Sequence, residues 1–406
     1  MIDQSQLVSD SAHDAMHHSF RCKPSALRPP SPRALSVSAN MALAMTRARS
    51  SQDRVVLMLV AAILISYAAR GQNITEFPVP SIPGDITTGP DSALWFTESS
   101  AFKLGRMTAA GAITEFPTAS FPLVPAGITS GPDGRLWFTL ISLAPGEAIG
   151  RMTIQGDVAK FPLPPSALQA GPSQIVTGPD NALWFTEAGN NSKIGRITTE
   201  GLITEFSILS PFGGPRGIAL GPDGALWFTE FNAGKIGRIT TAGTVSEFVI
   251  STIPSFPFGI ASGPDGALWF TEQGLGGTGG SGNKIGRITT TGAITEYALP
   301  SDSSLPRGIT VGPDGALWFT EFRGNRIGRI TTLGAIGEIP IPTADSQPVN
   351  ITAGPDGALW FTETRVGKIG RVAVTGPISV PSLSPFMVGL LVALLAFSGA
   401  MLVADS

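Results

Sequence analysis

The sequence predicts an all-β protein: a seven-bladed β-propeller of four-stranded blades, with an N-terminal strand completing the last blade. Three observations carry this. Leu94-Trp95-Phe96-Thr97 is written seven times, returning at Leu136, Leu183, Leu226, Leu268, Leu317 and Leu359, at spacings of 42, 47, 43, 42, 49 and 42 residues. A period of about 40–50 residues with one aromatic signature per repeat belongs to propellers and related arrays. Each repeat breaks into four short runs rich in β-branched and aromatic residues, punctuated by Gly, Pro and Asp, with no sustained 3.6-residue apolar period. Finally, residues 73–77 read Asn-Ile-Thr-Glu-Phe, the pattern of a fourth strand, yet they precede the first Gly-Pro-Asp turn, while the last unit supplies only three strands. Joining the two closes the ring and removes its exposed edges.

Residues 215–249 show how one unit is built. Pro-Arg-Gly-Ile-Ala-Leu forms a first strand and Gly221-Pro222-Asp223-Gly224 a tight turn. Ala-Leu-Trp-Phe-Thr-Glu forms a second strand, Lys-Ile-Gly-Arg-Ile a third and Thr-Val-Ser-Glu-Phe-Val a fourth. The tryptophans are expected to pack between adjacent blades, and the turn aspartates to shape their turns. Neither feature is given chemistry, because a reaction rarely needs seven equivalent copies.

The glutamate after Leu-Trp-Phe-Thr is present in six blades (Glu98, Glu187, Glu230, Glu272, Glu321, Glu363) and is Leu140 in the second. A basic residue opens the third strand in six blades (Lys103, Lys193, Lys235, Lys284, Arg326, Lys368) and is Ala148 in the second. Their joint loss from one blade predicts a facing cross-strand pair. A cationic partner would hold these carboxyls below their usual pKa.

The conserved-length turns share one end of the blades. The variable hairpins between second and third strands share the other end with the starts of the first strands, and binding is expected there. Each first strand opens Pro-x-Gly-Ile or a close variant, with Gly84, Ala126, Ser173, Arg216, Phe258, Arg307 and Val349 at the x position. Arg216, Phe258 and Arg307 on three consecutive blades predict a cationic, partly apolar corner at the channel mouth, suited to an anionic or aromatic ligand. The Gly-rich insert from Gln273 to Asn283 lacks the ending of a phosphate loop and reads as a hairpin tip.

Outside the repeats the composition changes. Residues 1–44 are Pro- and Ser-rich and read as disordered or as a mis-started leader. Residues 45–71 begin with Arg47, Arg49 and Arg54, continue with an apolar run from Val55 to Ile65 and end in small residues, the order of a signal peptide. An uncleaved membrane anchor is the alternative. The propeller is expected over 73–374 and a linker over 375–385. The uncharged residues 386–404 are long enough to span a bilayer as a helix. The 27 basic against 30 acidic residues exclude a polybasic nucleic-acid footprint, and the single Cys22 excludes a disulfide framework.

The run Gly-Pro-Asp-Gly-Ala-Leu-Trp-Phe-Thr-Glu, then Lys-Ile-Gly-Arg-Ile-Thr-Thr-x-Gly, then Ile-Thr-Glu-Phe resembles the virginiamycin B lyase (streptogramin lyase) family over about residues 73–374. The resemblance implies a seven-bladed propeller that linearises cyclic depsipeptides by magnesium-assisted elimination. A base removes an α-proton while the metal stabilises the enolate, and the site is built from histidines and glutamates near the channel mouth. One such histidine comes from a Pro-His start of a first strand. The matching positions here hold Arg216, Phe258 and Arg307, and the three histidines (His13, His17, His18) all precede the repeats. Glu272 and Glu321 are the carboxylates left as catalytic candidates. Val380-Pro381-Ser382-Leu383-Ser384 resembles a bacterial C-terminal sorting tail.

The expected protein is an exported, cell-envelope-attached monomer that binds an unidentified ligand or surface partner on its variable face without catalysis. It contacts membrane through its C-terminal helix, binds no nucleic acid and needs no cofactor. The alternative is a lyase of the resembled kind, using magnesium.

Overall fold

A computed structural model describes residues 74–118, 123–142, 146–164, 170–189, 192–274 and 282–374. The expected leader over 45–71 and the expected membrane segment over 386–404 lie outside the described residues. Among those described, no helix is long and apolar enough to cross a membrane.

The described chain forms seven antiparallel four-stranded sheets, as the repeats predict. Six sheets take four consecutive strands each. The seventh combines Pro348–Ala353, Leu359–Glu363 and Lys368–Val372 with Ile74–Pro78 from the start of the domain. Ile74 pairs with Val372 and Pro78 with Lys368, so the expected closing strand is in place. Phe77 stacks on Trp360 at 5.4 Å, and Glu76 reaches Lys368 at 3.4 Å. The Thr88 hydroxyl of the first blade donates to the Ala353 carbonyl of the seventh at 2.7 Å, a second tie across the seam.

Blade 4 shows what each repeated residue does. Trp227 is fully buried and packs with Ile260, Leu268 and Phe270 of blade 5, the interblade role expected of it. Its indole N–H donates to Asp223 Oδ1 at 3.0 Å, and Arg238 Nε donates to Asp223 Oδ2 at 2.7 Å. The turn aspartate thus also ties tryptophan to the third strand. Trp227 stacks on Phe248 of the fourth strand at 5.4 Å. Phe228 lies over Gly237, where a Cβ would come within 2.1 Å of its ring. The third strand therefore carries glycine where the second carries phenylalanine.

Every first strand has a one-residue bulge between its proline and its isoleucine. In blade 4, Pro215 pairs with Glu230 and Ile218 with Phe228, leaving Arg216 and Gly217 opposite Thr229 alone. Bulges re-aim side chains, and these sit at the channel mouth in all seven blades. The threonine of Leu-Trp-Phe-Thr fills the bulge. Thr229 Oγ1 accepts the Gly217 N–H at 2.9 Å and donates to the Phe258 carbonyl of blade 5 at 2.8 Å. The equivalent bonds from Thr186 and Thr271 hold the Arg216 and Arg307 carbonyls at 2.8 and 2.7 Å. Blade-to-blade stitching thereby fixes the backbone of the residues at the mouth.

Candidate ligand-binding site at the channel mouth

The first strands of all seven blades surround a central cavity of about 630 Å3. It is lined by the isoleucines that follow six of the seven bulges, among them Ile86, Ile218, Ile260, Ile309 and Ile351. Arg216 and Phe258 line it as well. Arg307 stands beside them, its guanidinium 5.5 Å from the Phe258 ring centroid and 3.4 Å from that of Phe322. The structure therefore brings the three sequence-predicted ligand residues together.

Two more aromatic residues, Phe231 and Phe322, complete the corner. The Arg216 guanidinium lies 5.5 Å from the Phe231 ring, which meets Phe258 edge-on at 6.3 Å and Phe256 at 5.0 Å. Sequence reasoning missed Phe231 and Phe322, although a signal existed. Both directly follow Leu-Trp-Phe-Thr-Glu, and only in the two blades whose first strand reads Pro-Arg-Gly-Ile. The pairing of Pro215 with Glu230, and of Pro306 with Glu321, places each arginine beside its phenylalanine.

Both arginines are mostly buried, and among the described residues no ion pair forms to either guanidinium. The Nε atoms of Arg216 and Arg307 are buried without a hydrogen-bond acceptor among those residues. Burial, and then the nearby charge of Arg216, pulls Arg307 down to about 10; burial also lowers Arg216. Gly259 lets the blades approach closely here, since a Cβ on it would meet the Arg307 carbonyl at 2.3 Å.

Asp85 is a further channel residue that sequence reasoning missed, because it occupies the second bulge position, which is glycine in four blades. Its carboxylate accepts the Ile86 N–H and, across the blade boundary, the Ile128 N–H, both at 2.8 Å. Burial pushes its pKa up to about 6, against those two hydrogen bonds. With both oxygens engaged, Asp85 is a joint between blades 1 and 2.

The expected charge pairs of the second hairpin need correction. Glu98 does lie opposite Lys103 in register, and Glu272 opposite Lys284. The basic residue, however, turns to a glutamate on the fourth strand: Lys103 to Glu115 at 2.8 Å, Lys235 to Glu247 at 2.7 Å and Lys284 to Glu296 at 3.5 Å. In blade 6, Arg326 reaches both Glu338, at 3.8 Å, and Glu321, at 3.9 Å. The second-strand glutamates are left buried, and their pKa values rise instead of falling. Burial first, then the fourth-strand carboxylate, pushes Glu272 up to about 9 and Glu321 to about 7. Neither side chain is exposed and neither lines the cavity, so the structure places the two catalytic candidates in the blade interior.

The residues present do not fit the magnesium that the resemblance implies. Among the described residues, no three His, Cys, Asp or Glu side chains gather where they could hold a metal ion. Two guanidiniums occupy the corner instead, and a cation would be repelled there.

Fold and site define a seven-bladed propeller with a cationic-aromatic pocket at one mouth of its channel. The model of the virginiamycin B lyase family matches residues 33–280 and 235–386. Selenomethionine-substituted virginiamycin B lyase from Staphylococcus aureus is 37% identical; the match covers 74% of this chain and 99% of that one, with a TM-score of 0.67. A streptogramin B lyase structure is also 37% identical over 74% of this chain and 97% of that one, with a TM-score of 0.68. A catalytically inactive histidine-to-alanine variant of the Staphylococcus aureus enzyme, with quinupristin, gives 37% identity, 74% and 99% coverage and a TM-score of 0.68. No curated protein matched. The chain belongs to the virginiamycin B lyase family.

Proposed function

We propose that this member of the family is a ligand-binding propeller, exported and attached to the cell envelope, that does not linearise streptogramins. The observation that carries this is the replacement of acid–base groups at the mouth by Arg216, Phe258 and Arg307. A relative loses activity when one histidine becomes alanine. All histidines of this chain lie at positions 13, 17 and 18, ahead of the first blade. An α-proton needs a base within hydrogen-bond reach whose pKa is near the working pH. Guanidinium groups remain protonated and cannot serve. Glu272 and Glu321 have raised pKa values but no access to the cavity.

Family membership favours the competing reading, a magnesium-dependent lyase, and one assay separates the two. Purified full-length protein incubated with a streptogramin B substrate should leave the ring closed by mass spectrometry, with or without magnesium, while an authentic lyase opens it. Magnesium-dependent turnover that vanishes in Glu272→Gln or Glu321→Gln would overturn the binding-only reading.

Export is supported by the leader over 45–71 and attachment by the apolar segment over 386–404. Fractionation with N-terminal sequencing should find a membrane-associated chain beginning between Ala69 and Gln72. A soluble cytoplasmic product retaining Met45 would refute it.

A further inference from the structure

We propose that the corner formed by Arg216, Phe231, Phe258, Arg307 and Phe322 binds an organic oxyanion, a carboxylate or phosphate carried on an aromatic or otherwise apolar body. This inference rests on the ligand-binding reading above and names the class of ligand.

The charge argument comes from how the chain treats its other arginines. In six of the seven blades the third-strand arginine (Arg106, Arg196, Arg238, Arg287, Arg329 and Arg371) donates through Nε to a turn aspartate, at 2.6–2.7 Å, and the remaining one, Arg151, donates to the Thr199 carbonyl at 2.7 Å. Arg216 and Arg307 break that rule: among the described residues no carboxylate pairs with them, and their Nε atoms lack acceptors. They are also close enough for one charge to disfavour the other. A mostly buried charge without a partner is costly, and two together more so. Bulges stitched by Thr186 and Thr271 hold both arginines at the mouth, so an anion arriving from the channel supplies the missing counter-charge.

The aromatic groups determine what the anion is attached to. Phe322 and Phe231 lie against the guanidiniums and limit their freedom, so less entropy is lost when they bind. Phe258 lines the cavity between the two charges, and Ile218, Ile260 and Ile309 line it alongside. A ligand body leaving the guanidiniums therefore meets a ring and then aliphatic wall. The cavity of about 630 Å3 lies within the range of small-molecule sites, roughly 300–1,000 Å3. A bare inorganic anion would use the charges and leave the apolar surface wet. An organic cation would be repelled by both arginines.

Calorimetric titration of the full-length protein with phenyl phosphate, benzoate, inorganic phosphate and benzylamine tests this. At least one aryl anion should bind about tenfold or more tightly than inorganic phosphate, and benzylamine should not bind. Whether phenyl phosphate or benzoate binds better tells phosphate from carboxylate. Arg216→Gln should weaken the aryl anion about tenfold or more, and Arg216→Lys should recover part of the loss. Phe258→Ala should weaken the aryl anions while leaving inorganic phosphate unchanged. Arg216 lines the cavity and holds no structural ion pair, so Arg216→Gln remains informative even if Arg307→Gln misfolds; unchanged circular dichroism and melting confirm its fold. Binding of neither aryl anion, equal binding of benzylamine, inorganic phosphate as tight as both aryl anions, or full anion affinity in Arg216→Gln would each overturn the proposal. If the aryl anions fail and the streptogramin stays intact, only the ligand class is wrong; if the streptogramin is opened, the binding-only reading fails whatever the anions do.

Discussion

Deleting residues 74–78 should cost the protein its closed ring, seen as a lower melting temperature and as aggregation on warming. Ile74–Pro78 forms five pairings with Lys368–Val372, the third strand of the last blade. Without it that strand becomes an open edge, able to pair with another chain. The deletion also removes the Phe77–Trp360 stack and the Glu76 carboxylate that binds Thr343 and Lys368. Trp360 would then lose a cover over the contact that joins blade 7 to blade 1. Phe77→Ala is the milder test. Phe77 is half-buried, so the variant should lose less than the roughly 3–5 kcal/mol of a fully buried Phe→Ala change. A deletion variant that melts with the parent and stays monomeric by light scattering would show that three strands suffice for the last blade.

The fold was legible because its signals are cooperative and local. Each Leu-Trp-Phe-Thr strand is bounded by turn residues, so element type and count follow from spacing alone. Closure was legible because Ile-Thr-Glu-Phe stands where no blade precedes it. The corner at the mouth was partly legible: Arg216, Phe258 and Arg307 share one position in consecutive blades, and the ring brings them together. What remained hidden depends on side-chain direction. Thr229 reads as an ordinary strand residue, and only the bulge shows it bonding two blades at once.

The glutamates misled for a related reason. Facing positions in register do not decide which neighbour a long lysine chooses, and a second carboxylate sits across the third strand, at Glu115 or Glu296. The second blade held the clue. Besides Leu140 and Ala148 it carries Lys160 at that fourth-strand place, so all three charges of the set change together.

That inward turn of the glutamates has its largest consequence in how stability depends on pH. Stability should fall as pH rises from about 4.5 to about 9, the interval between the unfolded and folded pKa values of the buried acids. Glu98, Glu230 and Glu321 are pushed up to about 7, Glu187 and Glu363 to about 8 and Glu272 to about 9, with burial the first cause in each. In the unfolded chain these acids ionise near 4.5, while the folded protein still holds their protons. Folding therefore takes up protons in neutral solution. The stability these groups contribute is complete below about 4.5 and is lost as pH climbs through the folded values. Each pKa unit corresponds to about 1.4 kcal/mol, so Glu272 alone is worth several kcal/mol between acid and alkaline solution. The acids held low act in the opposite sense. Glu296, whose burial is outweighed by bonds from Thr252 and Glu272 and by the charge of Lys284, stabilises above its unfolded pKa and loses that contribution as pH falls, as does the Asp223 bonded to Trp227 and Arg238. The two sets together place the optimum in mildly acid solution. Glu272→Gln removes the largest shift while keeping the shape of the side chain. Urea unfolding at pH 5, 7 and 9 should show the variant near the parent at pH 5 and more stable than it at pH 9. A parent whose stability holds level or rises toward pH 9, or a variant that gains nothing there, would mean that the buried glutamates ionise without penalty.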